Sequence, residues 1–365
     1  MRVNWLALQD FRNYEVARLE IAPVGLTVVV GENGQGKTNL LEALGWLATL
    51  GSFRGAPNEA LVRQGATSAF VRAEADRDGR RLTLEAEIPA SGTPRVLVNG
   101  NPLRRSRDLL GAVRVSVFSP DDLALIKGGP SGRRGLLDDA LVAVDPQHAE
   151  TIAAVERVLR QRGALLRQAG GKATAEIVST LDVWDAKLAE HGAALVVARQ
   201  QLAARLEPLV AKAYAEVASG SAAIGVRYVR SWSAESDLDE RTALHQALSS
   251  ARNDDLRRAA TTVGPHRDEL ELHIGTLPAR THASQGEQRS LALALRLAVH
   301  DAVTEATGAA PVLLLDDVFS ELDPHRSAAL LRSLPEGQAL LTTAGGLPEG
   351  AEPAATVQVA NGAVS

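Results

Sequence analysis

Alternating and wholly apolar stretches divide the first 118 residues into short strands. A short β-branched run at 26–30 predicts a buried strand, residues 113–118 predict another strand, and the apolar spacing of residues 39–47 predicts a helix. Alternation of apolar and polar positions predicts further strands at 2–8, 16–21, 67–75, 82–88 and 94–98. Asn99-Gly100 is a turn signal, and Ser119-Pro120 is typical of a helix start. This part of the chain is therefore predicted to be β-rich, with an antiparallel segment.

The pattern changes to long-period helix between about 146 and 218. Leucines recur every seven residues at Leu181, Leu188, Leu195, Leu202 and Leu209, which favours helices packed against one another. Pro208 is expected to break the helix just before it. A helix over 174–206 would be about 50 Å long, so the sequence predicts a short helical arm rather than a long coiled coil.

An α/β pattern returns after residue 220. Helices are predicted over 236–260 and from Ser284 to about Ala306, with strands at 224–230, 269–274, 312–315, 339–343 and 356–360. One α/β domain is therefore split by an insertion. We assign residues 1–125 to the N-terminal lobe of this α/β domain, residues 126–220 to a helical arm, and residues 221–365 to its C-terminal lobe.

Composition narrows the class of protein. The chain has 365 residues, no cysteine and a formal charge of −5, so it is not a globally basic nucleic-acid binder and has no disulfide framework. No apolar run approaches membrane-spanning length and no signal peptide is evident, so we expect a cytoplasmic protein without membrane contact. The basic residues are overwhelmingly arginine, which makes individual arginine pairs less informative.

Residues 31–38, Gly-Glu-Asn-Gly-Gln-Gly-Lys-Thr, stand between the strand at 26–30 and the following helix. This order of strand, glycine loop and helix is the context of a phosphate-binding P-loop, although a glycine-rich turn can match by chance. Lys37 is expected to reach the β- and γ-phosphates, and Thr38 to ligate Mg²⁺. The predicted nucleotide contacts are Gly31, Asn33, Gly34, Gly36, Lys37, Thr38 and Asn39.

Asp316 and Asp317 follow the apolar strand at 312–315. In a P-loop enzyme, a carboxylate in the place of Asp316 holds Mg²⁺. Asp317 could orient or deprotonate the attacking water. The alternative is a core strand that runs into an acidic turn. With the P-loop upstream, we predict that Asp316, Asp317 and Lys37 are catalytic.

Ser284 to Arg289 open the second predicted helix. Ser284 and Glu287 have capping-box spacing, and capping alone would explain them. Gly286, however, lowers helix propensity in the first turn and permits close approach to exposed N–H groups. The start of this helix is therefore a second candidate phosphate-binding end.

Two of these motifs resemble the ATP-binding-cassette class: Ser284–Gln288 its signature motif, and Asp316–Asp323 its Walker B motif and D-loop. Within that class, the chain is similar to the RecF family of bacterial recombination mediator ATPases from residue 2 to about 343. The further stretches that carry the similarity are Phe11–Tyr14, Gly31–Ala43, Gly128–Arg134 with Leu137–Asp138, and Val263–Asp268.

The resemblance implies an α/β fold, an ABC-type P-loop ATPase head with mixed sheets and an inserted helical arm. It also implies that ATP and Mg²⁺ are bound between two copies in an ATP-dependent homodimer. One copy supplies the P-loop and Walker B residues, and the other supplies the signature motif with Ser284, Gly286 and Gln288. Asp323, in the D-loop position, is expected near the same interface. Arg12 and Asn13 resemble residues that approach the nucleotide in related heads, although a solvated turn is the alternative.

Two departures from the class affect the expected chemistry. The segment from Phe118 to Asp122 has no Gln in the Q-loop position, and Asp317 stands where Glu is common. We therefore expect slow hydrolysis, with Thr342 or Thr343 in place of the switch His.

DNA contact is implied by the resemblance and not by the residues alone. The implied activity is a weak DNA-dependent ATPase that binds duplex DNA at gapped junctions and helps RecR and RecO to load RecA. The alternatives are an SMC-like chromosome-organising ATPase, or another ABC-type ATPase not dedicated to gap repair. The candidate DNA-contacting residues are Arg157, Arg160 and Arg162 on the arm, and Arg133 and Arg134.

Overall fold

The computed structural model describes residues 1–77, 79–218, 222–233, 238–334 and 337–365. The chain forms two compact units. The first unit comprises Met1–Leu123, Lys212–Ser221 and Arg289–Ser365, and the second comprises Ala124–Ala211 and Ala222–Gln288. Among the described residues, no helix is both long and apolar enough to span a membrane.

The strands are β1 (Arg2–Phe11), β2 (Tyr14–Glu20), β3 (Gly25–Val30), β4 (Ser68–Arg77), β5 (Arg80–Pro89), β6 (Arg95–Val98), β7 (Asn101–Pro102), β8 (Val115–Phe118), β9 (Ile224–Val229), β10 (Glu269–Ile274), β11 (Leu277–Pro278), β12 (Val312–Asp316), β13 (Gln338–Thr343), β14 (Pro353–Ala360) and β15 (Ala363–Val364). The helices are α1 (Lys37–Thr49), α2 (Asn58–Leu61), α3 (Leu123–Lys127), α4 (Pro130–Val144), α5 (His148–Ala169), α6 (Ala175–Ala218), α7 (Glu240–Arg258), α8 (Ala279–His282), α9 (Gln285–Thr307) and α10 (Pro324–Ser333). The first two residues of the helix predicted over 236–260 lie outside the described part.

The first unit contains an antiparallel sheet in the order β2-β1-β4-β5-β6-β7. Alternation in the sequence has the period of side chains along a strand, so Leu6 and Leu8 turn inward while their neighbours are more exposed. Val3 is buried as well, because the register shifts between Val3 and Trp5. Asn99 and Gly100 both have positive φ, of 51° and 74°, and close the β6–β7 hairpin. The predicted antiparallel segment is confirmed.

A second sheet of the first unit holds the apolar strands in the order β15-β14-β3-β13-β12-β8. Five of these strands run parallel to one another: β14, β3, β13, β12 and β8. The edge strand β15 pairs antiparallel with β14. Every residue of β12 and β13 is buried, as expected for strands covered on both faces. Because β3, β12 and β13 are parallel, the residues that follow them meet at one edge of the sheet.

The second unit combines helices with the three-stranded antiparallel sheet β11-β10-β9. Leu181, Leu188, Leu195 and Leu202 are buried along α6, as their spacing predicts. The predicted break before Pro208 is wrong, because α6 is continuous from Ala175 to Ala218. Burial of apolar residues on both sides of Pro208, including Leu206 and Val210, offsets the cost of about 3 kcal/mol for proline in a helix.

The two units differ from the division that the sequence predicts. We expected residues 221–288 in the C-terminal lobe, whereas residues 222–288 lie in the second unit with 124–211. Arg133 of α4 explains part of this grouping, because it forms a bidentate ion pair with Glu269 of β10, with both distances 2.7 Å. The predicted boundary at 220 and 221 lies outside the described residues.

Arg162 is fully buried in the second unit and holds three helices together. Its guanidinium lies 2.7 Å from Asp185 of α6 and 2.7 Å from Asp255 of α7, and both carboxylates are fully buried. It also donates to the Thr261 hydroxyl at 2.9 Å. The prediction that Arg162 contacts DNA is therefore wrong. The predicted DNA contact of Arg133 is corrected for the same reason, because the Arg133 side chain is 5% exposed and is paired with Glu269.

Replacing Arg162 with Ala should lower the free energy of unfolding by about 3–5 kcal/mol, because the buried Asp255 loses its ion pair and the buried Asp185 keeps only its contact with Arg252 among the ion pairs described. Arg160→Ala is the matched control, since Arg160 lies on the same helix with 70% of its side chain exposed. We expect the control to change stability by no more than about 0.5 kcal/mol. Urea denaturation followed by circular dichroism measures both variants. Equal, small effects would contradict the structural role of Arg162.

Candidate active site

The P-loop turns tightly between the end of β3 at Val30 and the start of α1 at Lys37. Gly34 and Gly36 have φ of 81° and 112°, values that residues with a Cβ rarely adopt. A Cβ on Gly36 would also lie 2.6 Å from the Asn13 amide group and 2.9 Å from the Tyr14 hydroxyl. Glycine is therefore required at position 36 by both backbone conformation and space.

Lys37 extends across the loop that precedes it. Its Nζ donates to the carbonyl oxygens of Gly31, at 2.7 Å, and Glu32, at 2.9 Å. Burial lowers the pKa of Lys37, and attraction by Asp317 and Asp316 opposes that effect. A nearly buried ammonium held by carbonyls can exchange these acceptors for phosphate oxygens at little cost in reorganisation.

Asp316 and Thr38, predicted as the two metal ligands, lie in direct contact although they are 278 positions apart. The Thr38 hydroxyl donates to Asp316 Oδ1 at 2.7 Å. Burial raises the pKa of Asp316, while hydrogen bonds from Thr38 and Thr342 lower it. One carboxylate and one hydroxyl fit Mg²⁺, which usually takes one or two protein oxygens and completes its shell with water and phosphates.

Thr342, at the carboxyl end of β13, organises both aspartates. Its hydroxyl donates to Asp316 Oδ1 at 2.8 Å and accepts from the Asp317 backbone N–H at 3.0 Å. Thr343, the other residue considered for the switch position, instead exchanges hydrogen bonds with Gly345. Of the two threonines, Thr342 is therefore the one in contact with Asp316 and Asp317.

Asp317 has a left-handed backbone, with φ of 47° and ψ of 28°. Such values are uncommon for residues other than glycine, although Asp tolerates them better than most. The backbone N–H bond to Thr342 holds this conformation. The turn directs the chain away from β12 immediately after Asp316 and leaves Asp317 partly exposed.

The turn between β1 and β2 packs against the P-loop. Asn13 Nδ2 donates to the Gln35 carbonyl at 2.9 Å, and Asn13 Oδ1 accepts from Asn39 Nδ2 at 2.8 Å. Arg12 instead forms a bidentate ion pair with the buried Glu42 of α1. Asn13 thus contacts the P-loop, and its approach to a nucleotide stays a prediction, whereas the Arg12 guanidinium is bound to the side chain of Glu42.

The start of α9, in the second unit, has the predicted capping box. Ser284 N–H donates to Glu287 at 2.8 Å, and Glu287 N–H donates to Ser284 Oγ at 3.3 Å. Ser284 is exposed and Gly286 partly exposed. Gln288 is buried and its amide donates to the carbonyls of Ala279 and Arg280, so its predicted role as a nucleotide contact is corrected to support of α8.

Asp323, in the D-loop position, is exposed and caps α10. Its carboxylate accepts from Arg326 N–H at 2.9 Å and forms an ion pair with the Arg326 guanidinium. These contacts, the backbone N–H first, lower the pKa of Asp323, so the carboxylate is charged near neutral pH. Arg326 also donates to Ser290 of α9 at 3.0 Å.

Two site features escaped the sequence reasoning. Arg54 follows α1, and its positive charge opposes the rise in pKa that burial causes at Asp316. A single arginine in an arginine-rich chain gave no signal for this role. Asp122, in the Q-loop region, is buried. Its carboxylate forms a capping box with Ser119 and accepts hydrogen bonds from Arg296 at 2.6 and 3.0 Å.

The remaining arginines proposed for DNA contact differ from one another. Arg157 and Arg160 are exposed and three residues apart on α5, so they share a face of that helix. Arg134 is half-buried and donates to the Asp268 carbonyl at 2.7 Å. His266, in the stretch Val263–Asp268, is partly buried, and burial lowers its pKa to about 4.

Comparisons with known proteins agree with this geometry. A family model described as the RecF/RecN/SMC N terminal domain matches residues 2–343. A DNA replication and repair protein RecF from Streptomyces avermitilis is 46% identical over 354 residues, which cover 94% of this chain and 93% of that protein. The protein of the same description from Frankia alni is 45% identical over 357 residues, with coverages of 94% and 93%.

Solved structures extend the comparison to the fold. One described as the recombination mediator protein RecF-ATPrS in the RecFOR pathway has a TM-score of 0.91 and 31% identity, covering 100% of this chain and 97% of that chain. An Smc head domain from Pyrococcus furiosus has a TM-score of 0.54 and 16% identity, covering 100% of this chain and 95% of that one. The second likeness concerns the fold alone.

Replacing Thr342 with Val should lower the rate of nucleoside triphosphate hydrolysis about 10- to 100-fold, as expected when a partner that orients a metal ligand is lost. Valine keeps the volume of threonine but cannot bond Asp316 or the Asp317 N–H. Thr343→Val is the matched control, because the hydroxyl of this neighbouring buried residue serves only Gly345 among the bonds described. Steady-state hydrolysis and nucleotide affinity measure both. Equal rate losses in the two variants would contradict the role of Thr342.

Proposed function

The chain belongs to the RecF family of DNA replication and repair proteins, within the wider family of RecF, RecN and SMC N-terminal domains, and we propose that it is an ATP-dependent DNA-binding protein of recombinational repair. The predicted family and the predicted fold class, an ABC-type ATPase head with a helical arm, are confirmed. The observation that carries the proposal is the contact between Thr38 and Asp316, which joins the P-loop to the Walker B strand.

We propose that ATP binds at the P-loop with Mg²⁺ held by Thr38 and Asp316. Backbone N–H groups of the loop bind the phosphate chain, and the Lys37 ammonium moves from the Gly31 and Glu32 carbonyls to phosphate oxygens. The metal ion supplies positive charge that offsets charge developing on the phosphate oxygens. Asp317 orients the attacking water. Its carboxylate is shorter than the usual Glu, which supports slow hydrolysis.

We propose that the site is completed by a second copy of the chain. Ser284 is exposed at the beginning of a 23-residue helix, where N–H groups and the helix dipole favour a phosphate. Asp323, in the D-loop position, is also exposed, and its carboxylate is charged because the contacts with Arg326 lower its pKa. A γ-phosphate shared by two copies would make the dimer depend on ATP, and hydrolysis would release it.

The proposed physiological role follows from the family. Relatives are described as DNA replication and repair proteins, and a solved relative is placed in the RecFOR pathway. We propose that the dimer binds duplex DNA near single-strand gaps in the cytoplasm and helps RecR and RecO to load RecA. In this scheme DNA binding stimulates the weak ATPase activity, so the rate of ATP hydrolysis sets how long the dimer stays bound to DNA.

Mixed subunits test the shared site. Lys37→Ala and Ser284→Arg should each abolish hydrolysis alone, because each removes one half of both sites. Mixed in equal amounts, they should recover up to about one quarter of the wild-type rate, since half of the dimers are mixed and each mixed dimer has one intact site. The measurement is ATPase activity, with heterodimer content determined by differential tagging.

A second mixture serves as control for the first. Lys37 and Asp317 belong to the same half-site, so Lys37→Ala mixed with Asp317→Asn should recover no activity. Recovered ATPase activity in this control would contradict the shared-site proposal. So would the absence of recovered activity in the first mixture when heterodimers are measured there.

We propose that DNA contacts the exposed Arg157 and Arg160 on α5. Arg162 on the same helix is excluded because it is buried. Replacing Arg157 and Arg160 together with Ala should weaken duplex binding and reduce the salt slope by roughly 2, if each contacts one phosphate. The control is Arg257→Ala with Arg258→Ala, which removes the same charge from exposed positions on α7 of the same unit. Fluorescence anisotropy over a salt series measures both. Identical slopes for the two double variants would exclude α5 as the specific contact.

A further inference from the structure

The C-terminal hairpin of the chain lies against the outer side of the P-loop. This hairpin consists of β14, the turn Asn361–Gly362 and β15. We propose that it positions the P-loop for nucleotide binding, so that the affinity for nucleotide depends on a turn more than 320 positions away in sequence. The inference rests on the proposed binding of nucleotide at the P-loop.

The first link is the pairing of β14 with β3, the strand that leads into the loop. The register continues from Val28 to Val30 opposite Thr356 to Gln358. A Cβ on Gly31 would lie 2.2 Å from the Val359 carbonyl oxygen, so only glycine allows the loop to leave the sheet at this point. The last strand of the chain thus forms the wall beside the beginning of the P-loop.

The second link is the turn itself. The Asn361 backbone N–H donates to Gln35 Oε1 at 2.5 Å. A Cβ on Gly362 would lie 2.8 Å from the Asn13 carbonyl oxygen, so the turn is seated directly on the β1–β2 turn. Asn13 in turn donates to the Gln35 carbonyl at 2.9 Å. The C-terminal turn therefore contacts the P-loop both directly and through Asn13.

These contacts determine where the loop N–H groups point. The Gln35 carbonyl accepts from Asn13 Nδ2, and the Gly36 carbonyl accepts from the Tyr14 hydroxyl at 3.0 Å. In a trans peptide, the N–H of the following residue points opposite to the carbonyl. Binding both carbonyls on the outside therefore turns the N–H groups of Gly36 and Lys37 to the opposite side, where a phosphate is bound. Because this is done before the ligand arrives, less ordering remains to be done on binding.

The chain contains a matched pair of turns for the test. Asn361–Gly362 has φ of 51° and 72°, and Asn99–Gly100 has φ of 51° and 74°. Both turns lie in the first unit and close two-stranded hairpins with the same dipeptide. A Cβ at Gly100 would meet nothing within 4 Å, whereas one at Gly362 meets Asn13. Gly100→Ala therefore reproduces the backbone strain of Gly362→Ala without the displacement from the P-loop.

The experiment measures the Kd of a fluorescent ADP analogue for the wild-type full chain and both variants. ADP is chosen because it lacks the γ-phosphate proposed to join two copies. We expect Gly362→Ala to raise the Kd about tenfold, equivalent to about 1.4 kcal/mol, and Gly100→Ala to leave it unchanged. Thermal unfolding should show a loss for both variants, because both place Ala at positive φ, with a larger loss for Gly362→Ala, whose Cβ also meets the Asn13 carbonyl.

A second variant keeps the test decisive if Gly362→Ala does not fold. Gln35→Met removes the acceptor of the Asn361 N–H at similar side-chain volume and should also raise the Kd. Equal Kd values for wild type, Gly362→Ala and Gln35→Met would overturn the inference. Failure of the wild-type chain to bind either ADP or ATP would instead overturn the proposed function. Lys37→Ala should abolish binding, which identifies the P-loop as the site.

Discussion

A single hydroxyl–carboxylate–hydroxyl cluster, Thr38–Asp316–Thr342, ties the candidate active site together. Each residue stands at the carboxyl edge of the parallel sheet, after or at the end of β3, β12 and β13. Asp316 is buried, which raises its pKa, and an unpaired carboxylate there would be costly. The two hydroxyls satisfy it and leave an oxygen-rich site. The order of the strands is therefore a requirement of the chemistry as well as of the core.

The same sheet explains why glycine is needed at the P-loop. β14 lies beside β3, so the chain must leave the sheet at Gly31 against the Val359 carbonyl. The β1–β2 turn then binds the outer carbonyls of the loop. Two hairpins from opposite ends of the chain thus surround one phosphate-binding loop. The glycines serve a crowded outer side as well as a ligand on the inner side.

Several residues in stretches similar to the RecF family serve folding of the second unit. Arg133 pairs with Glu269, Asp138 forms a bidentate pair with Arg199, and the partly buried His266 contacts the Thr261 carbonyl. Buried arginines of this kind require complete pairing, since an uncompensated buried charge is strongly destabilising. A motif can therefore be characteristic of a family through its fold and not through contact with a ligand.

Local pattern was enough to predict the P-loop, the Walker B strand, the capping box at Ser284 and nearly every strand of the first unit. Each is encoded within a few neighbouring residues, by period, by glycine conformation or by cap spacing. Long-range packing decided the remainder. Burial of its neighbours keeps α6 helical through Pro208, and ion pairs place Arg162 in the interior.

The amino-acid sequence by itself was enough to predict a nucleoside triphosphate site and the loop and strand that would compose it. It did not determine which threonine contacts the aspartates, which arginines are exposed, or that the C-terminal turn supports the P-loop. Those relations join residues that are far apart in the chain, and a contact of that kind leaves no periodicity in sequence. Only the folded sheet, which brings the ends of its parallel strands to one edge, decides them.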